Sequence, residues 1–189
     1  GNNREVKDSF LVSEYKKAWE SFLNSSKLKE ITETYSCKVV FFPHANMLPY
    51  VTNGFLSIPE HVEVRSNDGS TSIQNSFCEA SACITEYSSV SSEMAYLHKP
   101  CLYYQFDKDD FYSGGQFYAK GYFDYERDGF GPVVDNENDL LAELEKLAAR
   151  DFKPDDVYKK RMEETFAFRD GKCCERVYEA IMQLDEPRS

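Results

Sequence analysis

Short apolar runs and amphipathic stretches alternate along the chain, and this pattern predicts its elements. Apolar, β-rich runs are typical of strands buried on both faces. We predict five strands, over residues 37–42, 61–66, 82–85, 101–106 and 131–134. Apolar positions at helical spacing, such as Tyr15, Trp19 and Phe22, predict the helices that lie before and between them. Strands alternating with helices predict a Rossmann-like, three-layer α/β/α domain with a mostly parallel sheet.

The second half of the chain departs from this regular alternation. An aromatic and acidic stretch over residues 107–130 predicts a long loop that is functional or mobile. After the fifth strand, helices are predicted over 136–149 and 157–168. Asp170 is the predicted cap of a last helix, which ends near Leu184.

Composition indicates one ordered, acidic domain. The 189 residues include 22 Lys and Arg against 33 Asp and Glu, a net charge of −11, with 41% hydrophobic and 15% aromatic residues. This excludes intrinsic disorder and argues against broad binding to nucleic acid or anionic lipid, which needs a basic surface. We expect a single domain over 1–189, with 1–9 flexible and the helices of 151–185 packed on the domain.

Location follows from what the chain lacks. The polar N-terminal stretch is no signal peptide, and no apolar run approaches the roughly 18 residues of a membrane-spanning helix. The six cysteines form no CxxC pair, which argues against a zinc ribbon or a thioredoxin-type motif. We therefore expect a reduced, cytoplasmic protein.

Ligands of open α/β sheets bind beyond the carboxyl ends of the strands, and two such ends carry suggestive residues. His44 follows the first strand, and Thr85–Ser89 follows the third and opens a helix. Helix starts attract anions, so Ser88 and Ser89 are interpreted as a phosphate cradle that lacks a glycine-rich signature. Glu93, four residues beyond Ser89, would accept hydrogen bonds from sugar hydroxyls. Alternatively, the serines only cap the helix and Glu93 is a solvated residue.

His44 is the candidate catalytic residue. A histidine at a strand end can donate a proton or a hydrogen bond to a departing phosphate near neutral pH. His61 and His98 are assigned structural roles, because one begins a strand and the other lies at a helix end. The acids within 124–128 do not match a calcium loop. We therefore expect no metal.

Longer motifs carry a resemblance to a known family. The runs ITEYSSVSSEMAYLHKPCLYYQFD and KGYFDYERDGFGPVV closely resemble the CDP-glycerol glycerophosphotransferase family, the teichoic acid polymerases and related polyol-phosphate transferases. VVFFPHANM resembles the family's histidine-bearing strand end, and FAFRDGKCCERVYEAI resembles its C-terminal helix region. The resemblance extends from about Phe10 to Ile181. It implies a two-domain glycosyltransferase-B architecture, of which this chain is the C-terminal, nucleotide-binding half.

The resemblance also implies a reaction and roles. A polyol hydroxyl would attack the β-phosphorus of CDP-glycerol or CDP-ribitol, releasing CMP in teichoic acid or capsule polymer synthesis without a cofactor. His44 would assist the departure of CMP, Ser88 and Ser89 would bind phosphate, and Glu93 would hold the ribose. Thr85, Glu86 and Gly131, which lie in these motifs, are also predicted to contact the donor. The same prediction is made for Gln74, which ends the run TSIQ, where the family often has Tyr-Asp-Ile-Gln.

Partners and location follow from the same resemblance. A lipid-linked or polymeric acceptor would bind the N-terminal half, which has no counterpart in this chain. We therefore expect the isolated domain to be inactive and the full-length protein to lie peripherally at the cytoplasmic face of the membrane. A nucleic acid partner is not expected.

Two departures from the family pattern leave other functions open. Glu86 and Glu93 stand where the family usually has Asp, and each adds one methylene. The pair is similar to the paired glutamates of retaining sugar-nucleotide glycosyltransferases, although one residue too close together. A non-catalytic binding domain of the same fold is the third hypothesis.

Overall fold

A computed structural model describes residues 9–67, 72–112 and 121–184 of the chain. The strands are β1 (Val39–Phe41), β2 (Val62–Val64), β3 (Cys83–Thr85), β4 (Cys101–Tyr104) and β5 (Val133–Val134). The helices are α1 (Glu14–Leu23), α2 (Ser26–Thr34), α3 (Leu48–Thr52), α4 (Ile73–Glu79), α5 (Val90–Tyr96), α6 (Lys108–Tyr112), α7 (Tyr125–Asp128), α8 (Glu137–Ala149), α9 (Asp156–Thr165) and α10 (Cys173–Leu184). Of the segment predicted to be flexible, residues 1–8 lie outside the described residues.

Every strand pairing in the described residues is parallel, as predicted. β1 pairs with β2, with Val39 opposite Val62. β4 lies between β3 and β5, with Cys83 opposite Cys101 and Tyr103 opposite Val133. Within the described ranges the ladders form two groups rather than one continuous sheet. Val39 of β1 and Ile84 of β3 nevertheless pack against the same hydrophobic cluster.

Helices cover both faces of the β3–β4–β5 sheet, which confirms the predicted three-layer class. Successive residues of a strand point to opposite faces. Tyr104 packs with α1, α2 and α8 on one face, through side chains such as Trp19 and Leu140. Tyr103 packs with α4 and α5 on the other face, through Phe77 and Met94.

The predicted loop 107–130 contains two short helices, α6 and α7. Asp124 is the N-cap residue of α7, and its carboxylate accepts hydrogen bonds from the Glu126 and Arg127 backbone N–H groups at 3.0 Å each. Residues 113–120 of the predicted loop lie outside the described residues.

The C-terminal helices differ in how they pack. Met162 of α9 is fully buried against Ala95 and Phe130, so this helix packs against α5 and the segment before β5. By contrast, α10 has no buried residue, and Arg176 is its one half-buried position. None of the described helices has the length and apolar composition needed to cross a bilayer.

Candidate functional site

The end of β3 places Glu86 against the first helix. The Trp19 indole Nε1 donates a hydrogen bond to the Glu86 carboxylate. Burial raises the pKa of Glu86 to about 7, the nearby charge of Asp107 adds to this, and the Trp19 hydrogen bond opposes it. The Tyr15 pKa is also raised, mainly by burial and then by the Glu86 charge. Glu86 thus joins α1 to the end of β3, and its role in donor binding stays a prediction.

Aromatic stacking holds the segment that follows Glu86. The Tyr87 ring stacks on Phe111 of α6 with centroids 3.6 Å apart, and it meets Tyr125 of α7 edge to face at 6.0 Å. Tyr125 also contacts the Tyr103 ring at 4.9 Å. The strand end that opens α5 is therefore fixed against α6, α7 and β4.

The two serines have different environments. The Ser88 hydroxyl accepts a hydrogen bond from Val90 N–H at 3.3 Å, so it caps the start of α5. Ser89 is the N-cap residue, but its exposed side chain makes no cap hydrogen bond. Ser88 thus has the capping role that was the alternative to phosphate binding, while the hydroxyl of Ser89 is accessible to a ligand.

A cavity of about 380 Å³ lies at the carboxyl ends of β4 and β5, lined mainly by charged residues with the buried Gln105. It contains none of the predicted site residues.

A second cavity, of about 370 Å³, brings two predicted residues together. Gln74 of α4 and Glu93 of α5 both line it, in the groove between these helices. The remaining lining residues are Phe77, Cys78, Ser92, Tyr96, Leu97 and Phe166. This groove, which we call the α4–α5 cavity, therefore combines aromatic walls with a carboxylate and an amide.

Sequence reasoning missed the walls of the α4–α5 cavity. Gln74, Phe77 and Cys78 lie at helical spacing on α4, and the α5 lining follows the same spacing. Two facing stripes of this kind were a signal available in the sequence. Phe166 carried no such signal, because it comes from the end of α9, more than 60 residues away in the chain.

His44 lies on the loop after β1, with an exposed side chain. Its Nδ1 accepts a hydrogen bond from Asn46 N–H at 3.2 Å, and its carbonyl accepts from Met47 and Leu48. Among the described residues, no hydrogen bond joins His44 to the serines or to Glu93. Its catalytic role stays a prediction that needs a bound donor between them.

Gly131 is explained by packing. A Cβ at this position would come 1.6 Å from the Cys101 carbonyl oxygen, so the backbone approaches β4 too closely for any side chain. This contact lies at the amino end of β4, whereas Thr85 ends β3 at the opposite edge. Packing against β4 accounts for this glycine, and its contact with a donor stays a prediction.

The acids of α7 bind their own neighbours. Asp128 pairs with Arg127 at 2.6 Å and accepts a hydrogen bond from Asp124 N–H at 2.8 Å. In the parts of the chain that the structure describes, no group of three His, Cys, Asp or Glu side chains is arranged to hold a metal ion.

The two glutamates that are similar to the pair of a retaining transferase have different surroundings. Glu86 bonds to Trp19, whereas Glu93 lines the α4–α5 cavity. The two carboxyl groups therefore have different neighbours.

Comparison with known proteins gives one family. The model of the family described as CDP-Glycerol:Poly(glycerophosphate) glycerophosphotransferase matches residues 7–183. The minor teichoic acid biosynthesis protein GgaB of Bacillus subtilis (strain 168) is 31% identical over 182 residues, which cover 96% of this chain and 19% of GgaB. The teichoic acid poly(ribitol-phosphate) polymerase of Bacillus spizizenii is 33% identical over 106 residues, 55% of this chain and 16% of that protein.

The chain thus spans less than a fifth of the length of these curated relatives. The solved structure of the wall teichoic acid polymerase TagF aligns with 87% of this chain and 50% of its own, at 16% identity and a TM-score of 0.43.

Proposed function

Since the chain belongs to the CDP-glycerol:poly(glycerophosphate) glycerophosphotransferase family, we propose that it is the donor-binding domain of a polyol-phosphate transferase. The chain is thereby a member of a transferase family of teichoic acid synthesis. The donor, the acceptor and the residue roles are the proposed part. The predicted assignment as the C-terminal half of a glycosyltransferase-B fold belongs to the same proposal.

The observation that carries the proposal is the α4–α5 cavity. A nucleoside presents a flat ring and a ribose, and aromatic walls beside one carboxylate suit both parts. Glu93 would accept hydrogen bonds from the ribose hydroxyls, and Gln74 offers an amide to the base. Ser89 lies four residues before Glu93 at the helix start, so a nucleotide bound at Glu93 would direct its phosphates toward the Ser89 hydroxyl and the first N–H groups of α5.

The chemistry would proceed by displacement at phosphorus. A hydroxyl of the growing polymer attacks the β-phosphorus of the CDP-polyol and forms a new P–O bond. The bond between that phosphorus and the bridging oxygen breaks, and CMP leaves with the bridging oxygen. His44 would donate a hydrogen bond or a proton to this oxygen as negative charge develops on it. The attacking hydroxyl would lose its proton to a base supplied by residues outside this chain.

The proposal assigns the acceptor to residues outside this chain. The matched residues make up only 19% and 16% of the curated relatives, which leaves room for a separate acceptor domain. The isolated chain would therefore bind the donor without transferring the polyol phosphate. Lipid-linked acceptors would hold the full-length enzyme at the cytoplasmic face of the membrane.

The identity of the polyol is not distinguished by the cavity, because glycerol and ribitol would extend away from the nucleoside. The family description names glycerophosphate, and one relative is named as a poly(ribitol-phosphate) polymerase. Both CDP-glycerol and CDP-ribitol are therefore tested as donors.

Calorimetry with the isolated chain tests the proposal. We expect CMP and a CDP-polyol to bind, and Glu93→Ala to weaken both about tenfold or more, because a hydrogen bond to a charged group contributes about 1.5–3 kcal/mol. Glu163→Ala is the matched control, since Glu163 is an exposed glutamate of α9 outside the cavity. Its affinities should equal those of the wild type.

Three results would contradict the proposal. An absence of CMP and CDP-polyol binding at millimolar ligand removes the donor site. A preference for UDP- or GDP-sugars favours the retaining glycosyltransferase. Unchanged transfer by His44→Ala in the full-length enzyme favours a non-catalytic domain or another catalytic residue.

A further inference from the structure

Arg169 connects two helix ends beside the α4–α5 cavity. It lies between α9 and α10, and its guanidinium donates hydrogen bonds to the carbonyls of Ala95, at 3.3 Å, and of Tyr96. A third hydrogen bond reaches the Met162 carbonyl of α9 at 2.9 Å. One planar side chain therefore satisfies carbonyls at the C-terminal ends of both α5 and α9.

The same guanidinium lies over both aromatic rings at this end of the cavity. Its central carbon is 5.3 Å from the Tyr96 ring centroid and 5.6 Å from that of Phe166. The two rings meet edge to face, with centroids 5.7 Å apart and planes at 85°. Such contacts fix the orientation of both rings, because an arginine can stack on aromatic faces while its N–H groups remain bonded.

We infer that Arg169 is a positioning residue that sets Tyr96 and Phe166 as the wall on which the base of the donor nucleotide rests. The inference depends on the proposed function and adds a source of specificity to it. The segment after α9 then takes part in recognising the nucleoside, although it follows α5 by some 70 residues. Phe166 comes from the end of α9, so the wall exists only when this segment is docked on α5.

Two neighbouring arginines, Arg161 and Arg176, do not share this arrangement. Arg161 donates to the carbonyls of Glu126 and Gly129, but the ring beneath it is Tyr158, outside the cavity. Arg176 lies 4.2 Å over the Phe168 ring and pairs with Asp170.

The test measures binding of CMP, uncharged cytidine and inorganic pyrophosphate to the wild type and to Arg169→Ala, Arg169→Lys and Arg176→Ala. We expect Arg169→Ala to weaken cytidine and CMP by the same factor, about tenfold, and to leave pyrophosphate within twofold. Arg169→Lys keeps the charge but lacks the planar fork, so it should lose cytidine affinity as well. Arg176→Ala should bind all three ligands like the wild type.

Cytidine carries no phosphate, so a change in its binding reports the position of the aromatic rings and not attraction between Arg169 and a negative charge. Unchanged cytidine binding by a folded Arg169→Ala protein overturns the inference, even if CMP binds more weakly. If that variant fails to fold, Phe166→Leu removes the ring and keeps an apolar side chain, and cytidine must still weaken. Failure of the wild type to bind CMP would instead overturn the proposed function, on which the inference depends.

Discussion

The substitution Glu86→Gln should stabilise the protein at neutral and alkaline pH. The Glu86 carboxyl is partly buried against Trp19, and burial raises its pKa from 4.5 to about 7. Above that pH the folded protein holds a buried negative charge beside Asp107. Glu86→Gln removes the charge, and its amide oxygen can still accept the Trp19 hydrogen bond.

The magnitude follows from the two pKa values. Between pH 4.5 and about 7 the unfolded chain releases the Glu86 proton and the folded protein retains it, so stability falls as the pH rises. Each pKa unit corresponds to about 1.4 kcal/mol, which gives a loss of about 3 kcal/mol above pH 7. Glu86→Gln avoids this loss, so its advantage should grow from near zero around pH 4.5 to about 3 kcal/mol above pH 7.

The assay is urea unfolding of both proteins at several values from about pH 5 to about pH 8. Trp19 is the one tryptophan of the chain, so its fluorescence reports both unfolding and the titration of its own partner. Glu163→Gln, on the exposed side of α9, serves as the control and should show no difference that depends on pH. A Glu86→Gln effect that is constant across this range, or destabilising at about pH 8, would refute the reasoning.

Three further substitutions test contacts that hold the fold. Gly131→Ala places a methyl group against the Cys101 carbonyl and should cost about 3 kcal/mol or more, whereas Gly121→Ala, which has open space around it, should leave the melting temperature unchanged. Lys99→Met removes two hydrogen bonds to the last carbonyls of α4, at 2.8 and 2.6 Å, and should lower the free energy of unfolding by about 1 kcal/mol. Asp124→Ala removes the N-cap of α7 and should cost about 1 kcal/mol in urea unfolding.

The fold class was predictable because its signals are local. Apolar runs bounded by turns gave the five strands, and their alternation with helices gave the parallel pairing. Tyr103 and Tyr104 are buried in different clusters, on opposite faces of β4. Because both faces are covered, the strand is an uninterrupted run of apolar residues in the sequence. The strands are shorter than predicted: the strand predicted over 37–42 spans Val39–Phe41, and the one predicted over 61–66 spans Val62–Val64.

The site was predictable only in part, because its remaining features depend on long-range contacts. Gln74 and Glu93 lie in motifs, and the structure brings them into one cavity. The partner of Glu86 is Trp19, 67 residues earlier in the chain, and no pattern in the sequence pairs them. The sequence suggested that Gly131 allows a tight backbone turn close to a ligand. In the structure a glycine is needed there because the backbone lies against Cys101 of β4.

The exposed helix α10 bears on the dynamics of the chain. Its apolar side chains, among them Val177, Ile181 and Leu184, contact solvent, so tertiary packing adds little to its stability. A helix of 12 residues is marginal in water without such packing. In the isolated chain, backbone amides of α10 should therefore exchange with deuterium by local opening, long before those of β4. Its helicity would then depend on whatever surface it touches, and the rest of the domain would fold without it.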